Sequence, residues 1–196
     1  MMIMPANNTK GIVHYFAGKY PGKIGLLISP KGWRSTVPEY LPYALDNGAY
    51  TGFDEVLFMD ILRDVPIMHR PLWVVVPDVV GDATATTARW HVWHNRIPFP
   101  LAFAVQDGHR PEDVPKTAFC VFVGGSTAWK LANAHKFKGV TKWLHIGRVN
   151  TERRLCWAER IGADSVDGTG FFRGDQKQLA AFIEHFEGRK QKCLSF

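Results

Sequence analysis

Short apolar runs recur along this chain, and most of them stop at a carboxylate, an amide or a glycine. Leu72–Val76 runs into Pro77-Asp78, and Pro100–Val105 into Gln106-Asp107-Gly108. Ala118–Val123 is followed by Gly124-Gly125, and Trp143–Ile146 by Gly147-Arg148. An apolar run of this length without polar alternation suits a strand buried on both faces, as in a parallel sheet covered by helices. Further strand candidates are Ile12–Phe16, Gly25–Ser29, Tyr43–Asp46 and the short run Asp164-Ser165-Val166-Asp167. Residues 1–10 read as polar and loosely held, and residues 30–42, with three prolines, as a loop.

Helical patterns fill most of the later gaps. Residues 53–64 carry Val56, Phe58, Met59, Ile61 and Leu62 on one broad face. Asp82 is placed to cap a helix running to about Asn95, with Ala85, Ala88 and Val92 on its apolar side. Ser126 caps a helix to about Phe137, and Asn150 one in which Leu155, Ala158 and Ile161 share a face. Asp175 opens a last helix with Leu179, Phe182, Ile183 and Phe186 at i, i+3, i+4 and i+7, before a basic tail.

Roughly eight strands alternating with helices predict an α/β fold, a compact (β/α)8 barrel, trimmed because the first two crossovers show no clear helix. An open doubly wound sheet is the competing arrangement. The 196 residues are expected to form one domain, with 46% hydrophobic residues to build its core. No apolar run matches a membrane span or a signal segment, so a cytoplasmic protein is expected. Cys120, Cys156 and Cys193 are widely spaced and form no Cys-x-x-Cys pair, which argues for free thiols and against a structural zinc site. The net charge of +6 permits a nucleic-acid partner.

In a barrel, chemistry collects where the strands end. Asp46, Asp78, Gln106-Asp107, Gly124-Gly125, Gly147-Arg148 and Asp167 all fall at predicted strand ends. A single such Asp is an ordinary cap or turn residue. Several carboxylates on one rim repel one another, and that cost points to a ligand. Carboxylates, an amide and close-approaching glycine backbone suit a flat heterocycle rich in N–H donors, such as a purine or deazapurine. Tyr50, Trp33 and Phe171 are candidate stacking surfaces. A remaining carboxylate can attack a sugar carbon.

The ordered strand ends resemble the tRNA-guanine transglycosylase superfamily, and within it the short phage-type DNA transglycosylases that insert 7-deazaguanine bases. Asp46-Asn47-Gly48-Ala49-Tyr50 is similar to the family's Asp-Ser-Gly-Gly-Phe, and Asp78 to a strand-end Asp that reads the base. Val105-Gln106-Asp107-Gly108 resembles Val-Gln-Gly-Gly, and Val123-Gly124-Gly125 resembles Ile-Gly-Gly. His145-Ile146-Gly147-Arg148 and Asp164-Ser165-Val166-Asp167 resemble Met-Gly-Val-Gly and Asp-x-Phe-Asp. The resemblance spans residues 43–173.

It implies base exchange without a cofactor. Asp167 would be the nucleophile at C1′, and Asp46 would handle the proton and touch the base. Asp78 and Gln106 would read the heterocycle, Asp107 would alter base choice where the family has glycine, and Gly124, Gly125 and Gly147 would line the base pocket. The family's Cys-x-Cys-x-x-Cys and His zinc ligands have no counterpart here, which shifts the expected partner from tRNA to DNA with a single-stranded or flipped guanine. The incoming base would be 7-cyano-7-deazaguanine (preQ0) or a derivative, and a duplex-opening helper protein would be a further partner. Arg148, Lys130, Arg173 and Phe171 are the candidates for gripping nucleic acid. Competing expectations are a tRNA or RNA substrate, a non-catalytic nucleic-acid-binding barrel, and a metal-dependent hydrolase. For the last, His91-x-x-His94 lacks the Glu of a zincin helix and reads as surface.

Overall fold

The computed structural model describes residues 1–7, 11–34, 37–168, Gly170 and Glu187. Its eight strands are all parallel: β1 (Met2–Pro5), β2 (Leu26–Ile28), β3 (Tyr43–Leu45), β4 (Val74–Val75), β5 (Leu101–Val105), β6 (Cys120–Val123), β7 (Trp143–Ile146) and β8 (Ser165–Gly168). Each neighbours the next in sequence, and β8 returns to β1 with Met4 opposite Asp167. The seam between β1 and β2 is held by the bridges Ile3–Ile24 and Ala6–Leu27. The sheet is therefore nearly closed into a (β/α)8 barrel, and the open doubly wound alternative falls away.

The helices between strands are α1 (Gly11–Lys19), α2 (Glu55–Asp64), α3 (Ala83–Trp93), α4 (Thr127–Asn133) and α5 (Glu152–Arg160). The β5–β6 connection contains only a 3-10 turn, Pro111–Asp113, among its regular elements, and the described part of the β2–β3 connection only Pro30–Gly32. Those two crossovers are where the barrel is trimmed.

Alternation along each strand sorts the apolar residues into two cores. Ile3, Tyr43, Phe103, Val121, Leu144 and Val166 point outward under the helices. Met4, Leu27, Ala44, Trp73, Ala102, Ala104 and Cys120 point inward and fill the axis. Most of these inward side chains are small, and fully buried Trp73 fills the space they leave.

Four sequence-based expectations are corrected. Ile12–Phe16 is helix, because Val13, Phe16 and Ala17 bury one stripe against the sheet, and tertiary burial outweighs their β preference. The missing first strand is Met2–Pro5, an apolar stretch taken for a loose terminus. The buried face of α3 is Thr86, Trp90 and Trp93, whereas Val92 is 64% exposed. The cap of α5 is Thr151, whose hydroxyl accepts from Arg154 N–H at 3.3 Å, in place of Asn150.

The expected caps Asp82 and Ser126 accept from Ala85 N–H and Trp129 N–H, and Asp54 caps α2 in the same way by accepting from Leu57 N–H. Cys120 is a buried free thiol, but Cys156 is disulfide-bonded, against the expectation of free thiols. Among the described residues no helix is long and apolar enough to cross a membrane. The helix expected from Asp175 and the basic tail lie outside the described residues.

Candidate functional site

Inward alternation carries past the last apolar layer and delivers polar residues to one mouth. Asp46 follows β3, Asp78 follows β4 and Gln106 follows β5, while Asp167 lies within β8. All four line a cavity of about 410 Å³ with Gly124, Gly125, Gly147 and Arg148. That volume falls in the range of about 300–1,000 Å³ typical of small-ligand sites. The strand ends after β3, β4 and β5 and the end of β8 thus bring these four side chains to one mouth.

Asp167 is only 6% exposed and is held from two sides. Its Oδ1 accepts from the Arg148 backbone N–H at 2.7 Å, and its Oδ2 lies 3.3 Å from His145 Nε2. Its backbone carbonyl accepts from Val149 N–H at 2.7 Å. The first contact requires an unusual backbone, since Arg148 sits at φ 59° in the left-handed region. The exposed Arg148 side chain reaches across the mouth, where its guanidinium donates to the Gly125 carbonyl and lies 5.5 Å from the centre of the Tyr50 ring. Glycine relieves left-handed strain worth about 1 kcal/mol, comparable to the one hydrogen bond lost. Arg148→Gly should therefore unfold in urea within about 1 kcal/mol of the parent. A loss above about 3 kcal/mol would mean that the side chain, not the backbone turn, holds this loop.

Asp78 belongs to a closed network. Its Oδ1 accepts from Asn47 Nδ2 at 2.8 Å and its Oδ2 from Gln106 Nε2 at 2.6 Å. Asn47 also donates to the Val76 carbonyl and accepts from Ala49 N–H. Gln106 Oε1 accepts from Gly81 N–H at 3.0 Å and Gly125 N–H at 3.2 Å, which fixes the amide's orientation. The Gln106 backbone N–H donates to His109 Nδ1, and the opposite ring nitrogen of His109 meets Thr87 Oγ1. Burial lowers the His109 pKa, in keeping with a ring nitrogen that accepts. Burial raises the Asp78 carboxyl, and the Asn47 and Gln106 donors and the Arg89 charge oppose that. The result is a rigid acceptor surface, with one lone pair on each Asp78 oxygen left for a ligand.

Asp46 is partly buried and far less restrained. Gly48 N–H reaches its Oδ1 only at 3.4 Å. Burial, followed by the charges of Asp167 and Asp78, pushes its pKa up to about 7. An acid of this strength exchanges its proton readily near neutrality.

The glycines serve a purpose that the sequence did not suggest. Gly124 N–H donates to the Val105 carbonyl and Gly125 N–H to Gln106, so both are engaged inside the protein. A Cβ on Gly124 would stand 3.1 Å from Gln106 Nε2, and one on Gly125, at φ +64°, 2.4 Å from Asp107 Oδ1. The pair makes room for those side chains, and neither N–H is left to meet a heterocycle carbonyl. Gly147 lines the cavity, with its carbonyl held by Lys130.

Two expected site residues lie elsewhere. Asp107 is exposed and caps the turn into α4, accepting from Ser126 N–H and hydroxyl at 2.6 Å each. It is a structural anchor, because its carboxylate is committed to that turn and lies outside the cavity lining. Lys130 is 5% exposed behind Gly147, and burial beside the Arg148 charge lowers its pKa to about 8. Its amine supports the loop from within and does not line a surface path for nucleic acid. Phe171 and Arg173 lie outside the described residues.

Of the stacking candidates, Tyr50 is 71% exposed at the rim, whereas the Trp33 indole donates to Asp64 away from the cavity. His94 is tied to the Trp90 carbonyl and stacks on that indole. Among the described residues no three of His, Cys, Asp and Glu are placed to hold a metal ion.

Sequence reasoning assigned no role to Asn47, His109, His145 or Ser165. Parity was the available signal for two of them, since His145 precedes Gly147 by two residues and Ser165 precedes Asp167 by two. Each therefore shares the inward face. In comparisons with known proteins, the chain matches no family model and no curated sequence.

Proposed function

We propose that this protein is a base-exchange transglycosylase that replaces guanine in DNA with a 7-deazaguanine base through a covalent Asp167–C1′ intermediate. The observation that carries this reading is the pairing of two unlike carboxyls in one cavity. Asp167 is anchored through both oxygens, while Asp46 is poised near pH 7. A carboxylate held through both oxygens beside an acid whose pKa is raised suits a nucleophile and a proton carrier.

In the first half-reaction an Asp167 oxygen attacks C1′ as the C1′–N9 bond breaks. The departing guanine anion takes the proton from Asp46. In the second half-reaction N9 of the incoming 7-deazaguanine attacks C1′ and the Asp167 ester breaks. The N9 proton returns to Asp46. Atoms and protons balance, and no nucleotide energy enters. The carboxylates of the cavity stabilise positive charge that develops on the sugar at each crossing. Asp78, locked by Asn47 and Gln106, offers acceptors to ring N–H and amino donors, and Tyr50 offers a face for the base. The preference for DNA rests on the resemblance to the short DNA transglycosylases.

The test is incorporation of labelled guanine and of labelled 7-cyano-7-deazaguanine into single-stranded DNA, duplex DNA and tRNA. Label in DNA supports the proposal. Label in tRNA alone keeps the chemistry and replaces the polymer. Label in none of the three, with binding to DNA retained, favours a non-catalytic barrel and overturns the reading.

A further inference from the structure

We propose that His145, fixed by Ser165 and Trp143, is a positioning residue that orients Asp167 through a neutral Nε2–H donor. This rests on the reading of Asp167 as the nucleophile, but the hydrogen-bond chain itself can be tested without that reading. Trp143 Nε1 donates to Ser165 Oγ at 2.7 Å. Ser165 Oγ lies 2.8 Å from His145 Nδ1, and His145 Nε2 lies 3.3 Å from Asp167 Oδ2. His145 and Ser165 are register partners on β7 and β8, and both are fully buried.

The direction of the chain follows from its fixed end. An indole N–H can only donate, so Ser165 Oγ accepts from Trp143. The buried Ser165 hydroxyl must then donate, and the acceptor beside it is His145 Nδ1. That leaves the imidazole proton on Nε2, facing Asp167. A doubly protonated ring would strip the Ser165 hydroxyl of this acceptor in a site with no exposure to water.

The ring is also clamped. Phe122 stacks on it at 4.7 Å, and the Trp73 indole meets it edge-on at 5.0 Å. Across the described contacts from Trp73, Phe122, Ser165 and Asp167, Asp167 is the charged group that His145 meets. With the Arg148 N–H on Oδ1 and this donor on Oδ2, the carboxylate plane cannot turn, and one lone pair on each oxygen still faces the cavity. A neutral donor orients the group without cancelling the charge that makes it nucleophilic.

Histidine-selective ¹⁵N NMR of the intact protein near pH 7.5 reads the tautomer directly. The expected result is an Nε2–H ring for His145, with the Nδ1 resonance shifted in Ser165→Ala, where the donor to that nitrogen is gone, and restored in Ser165→Thr. An Nδ1–H ring, or an imidazolium, in the parent protein overturns the chain whatever the protein's activity.

In the exchange assay, Ser165→Ala and His145→Gln should lower kcat by up to about a hundredfold, with KM for the base changed less than about threefold and Ser165→Thr restoring most of the loss. Unchanged kcat in both variants, while Asp167→Ala is inactive, overturns the positioning role and leaves base exchange standing. No exchange in the parent protein, with the Nε2–H ring present, leaves the chain standing and removes the transglycosylase reading.

Discussion

Asp167→Asn is expected to abolish base exchange, by about 10⁴-fold or more, and to leave no enzyme–DNA adduct after denaturing quench. Asparagine has the same shape and still offers an amide oxygen to the Arg148 N–H that now holds Oδ1 at 2.7 Å. What it lacks is a charged oxygen able to displace N9 from C1′. Its amide nitrogen would face the His145 donor, so that contact is lost as well. The fold should survive, because the substitution removes one of three carboxylates that crowd the same cavity. A second readout separates chemistry from damage. The Asp167 charge is the second cause of the raised Asp46 pKa, so Asp46 in the variant should titrate below about 7. An Asp167→Asn protein retaining a tenth of the exchange rate would show that another group attacks the sugar. An inactive variant in which Asp46 still titrates near 7 would show that the two carboxylates do not sense each other.

The legible part of this site and the illegible part differ in kind. Asp46, Asp78, Gln106 and Asp167 could be placed together because each ends a strand, and parallel strands in a barrel all end on one side. That inference needs no side-chain detail. It survived even the misassignment of the first strand, since Met2–Pro5 replaced Ile12–Phe16 and left the count at eight.

What the sequence could not reveal is which partner each polar group finds. Asp107 looks equivalent to Asp78 in spacing, yet it closes on Ser126 while Asp78 closes on Asn47 and Gln106. Lys130 reads as surface charge on a short helix, yet it is buried under the Gly147 carbonyl. Gly124 and Gly125 read as backbone bared to a ligand, yet they clear space for Gln106 and Asp107. Each of these outcomes depends on side-chain rotation across neighbouring strands, which a linear pattern does not encode. His145 was hidden for a related reason. It sits inside an apolar run, where a histidine carries no signal until its strand parity is known.

Asp46→Asn should reduce exchange about 10²- to 10⁴-fold and at the same time stabilise the protein above neutral pH. Both effects come from a pKa raised to about 7 by burial and by the Asp167 and Asp78 charges. The ordinary value is 3.8, so between about pH 4 and pH 7 the folded state holds a proton that the unfolded state releases. Stability therefore falls as pH rises through that window, by up to roughly 4 kcal/mol at about 1.4 kcal/mol per pH unit. Asparagine carries no such proton. Its stability advantage over aspartate should be small at pH 4.5 and should reach its full size by pH 8, as read from urea midpoints at each pH. The same ionisation shapes the chemistry. Guanine release in a single turnover needs protonated Asp46 and should decline as pH rises through about 7. Attack by the incoming base needs the carboxylate and should decline below about 7. Full exchange is then bell-shaped, and the limbs near 7 should vanish in the variant. If the variant instead keeps both limbs and shows the same pH-independent stability offset, the proton carrier lies elsewhere. If it gains stability with pH but keeps its activity, Asp46 is a destabilised carboxylate that the reaction does not use.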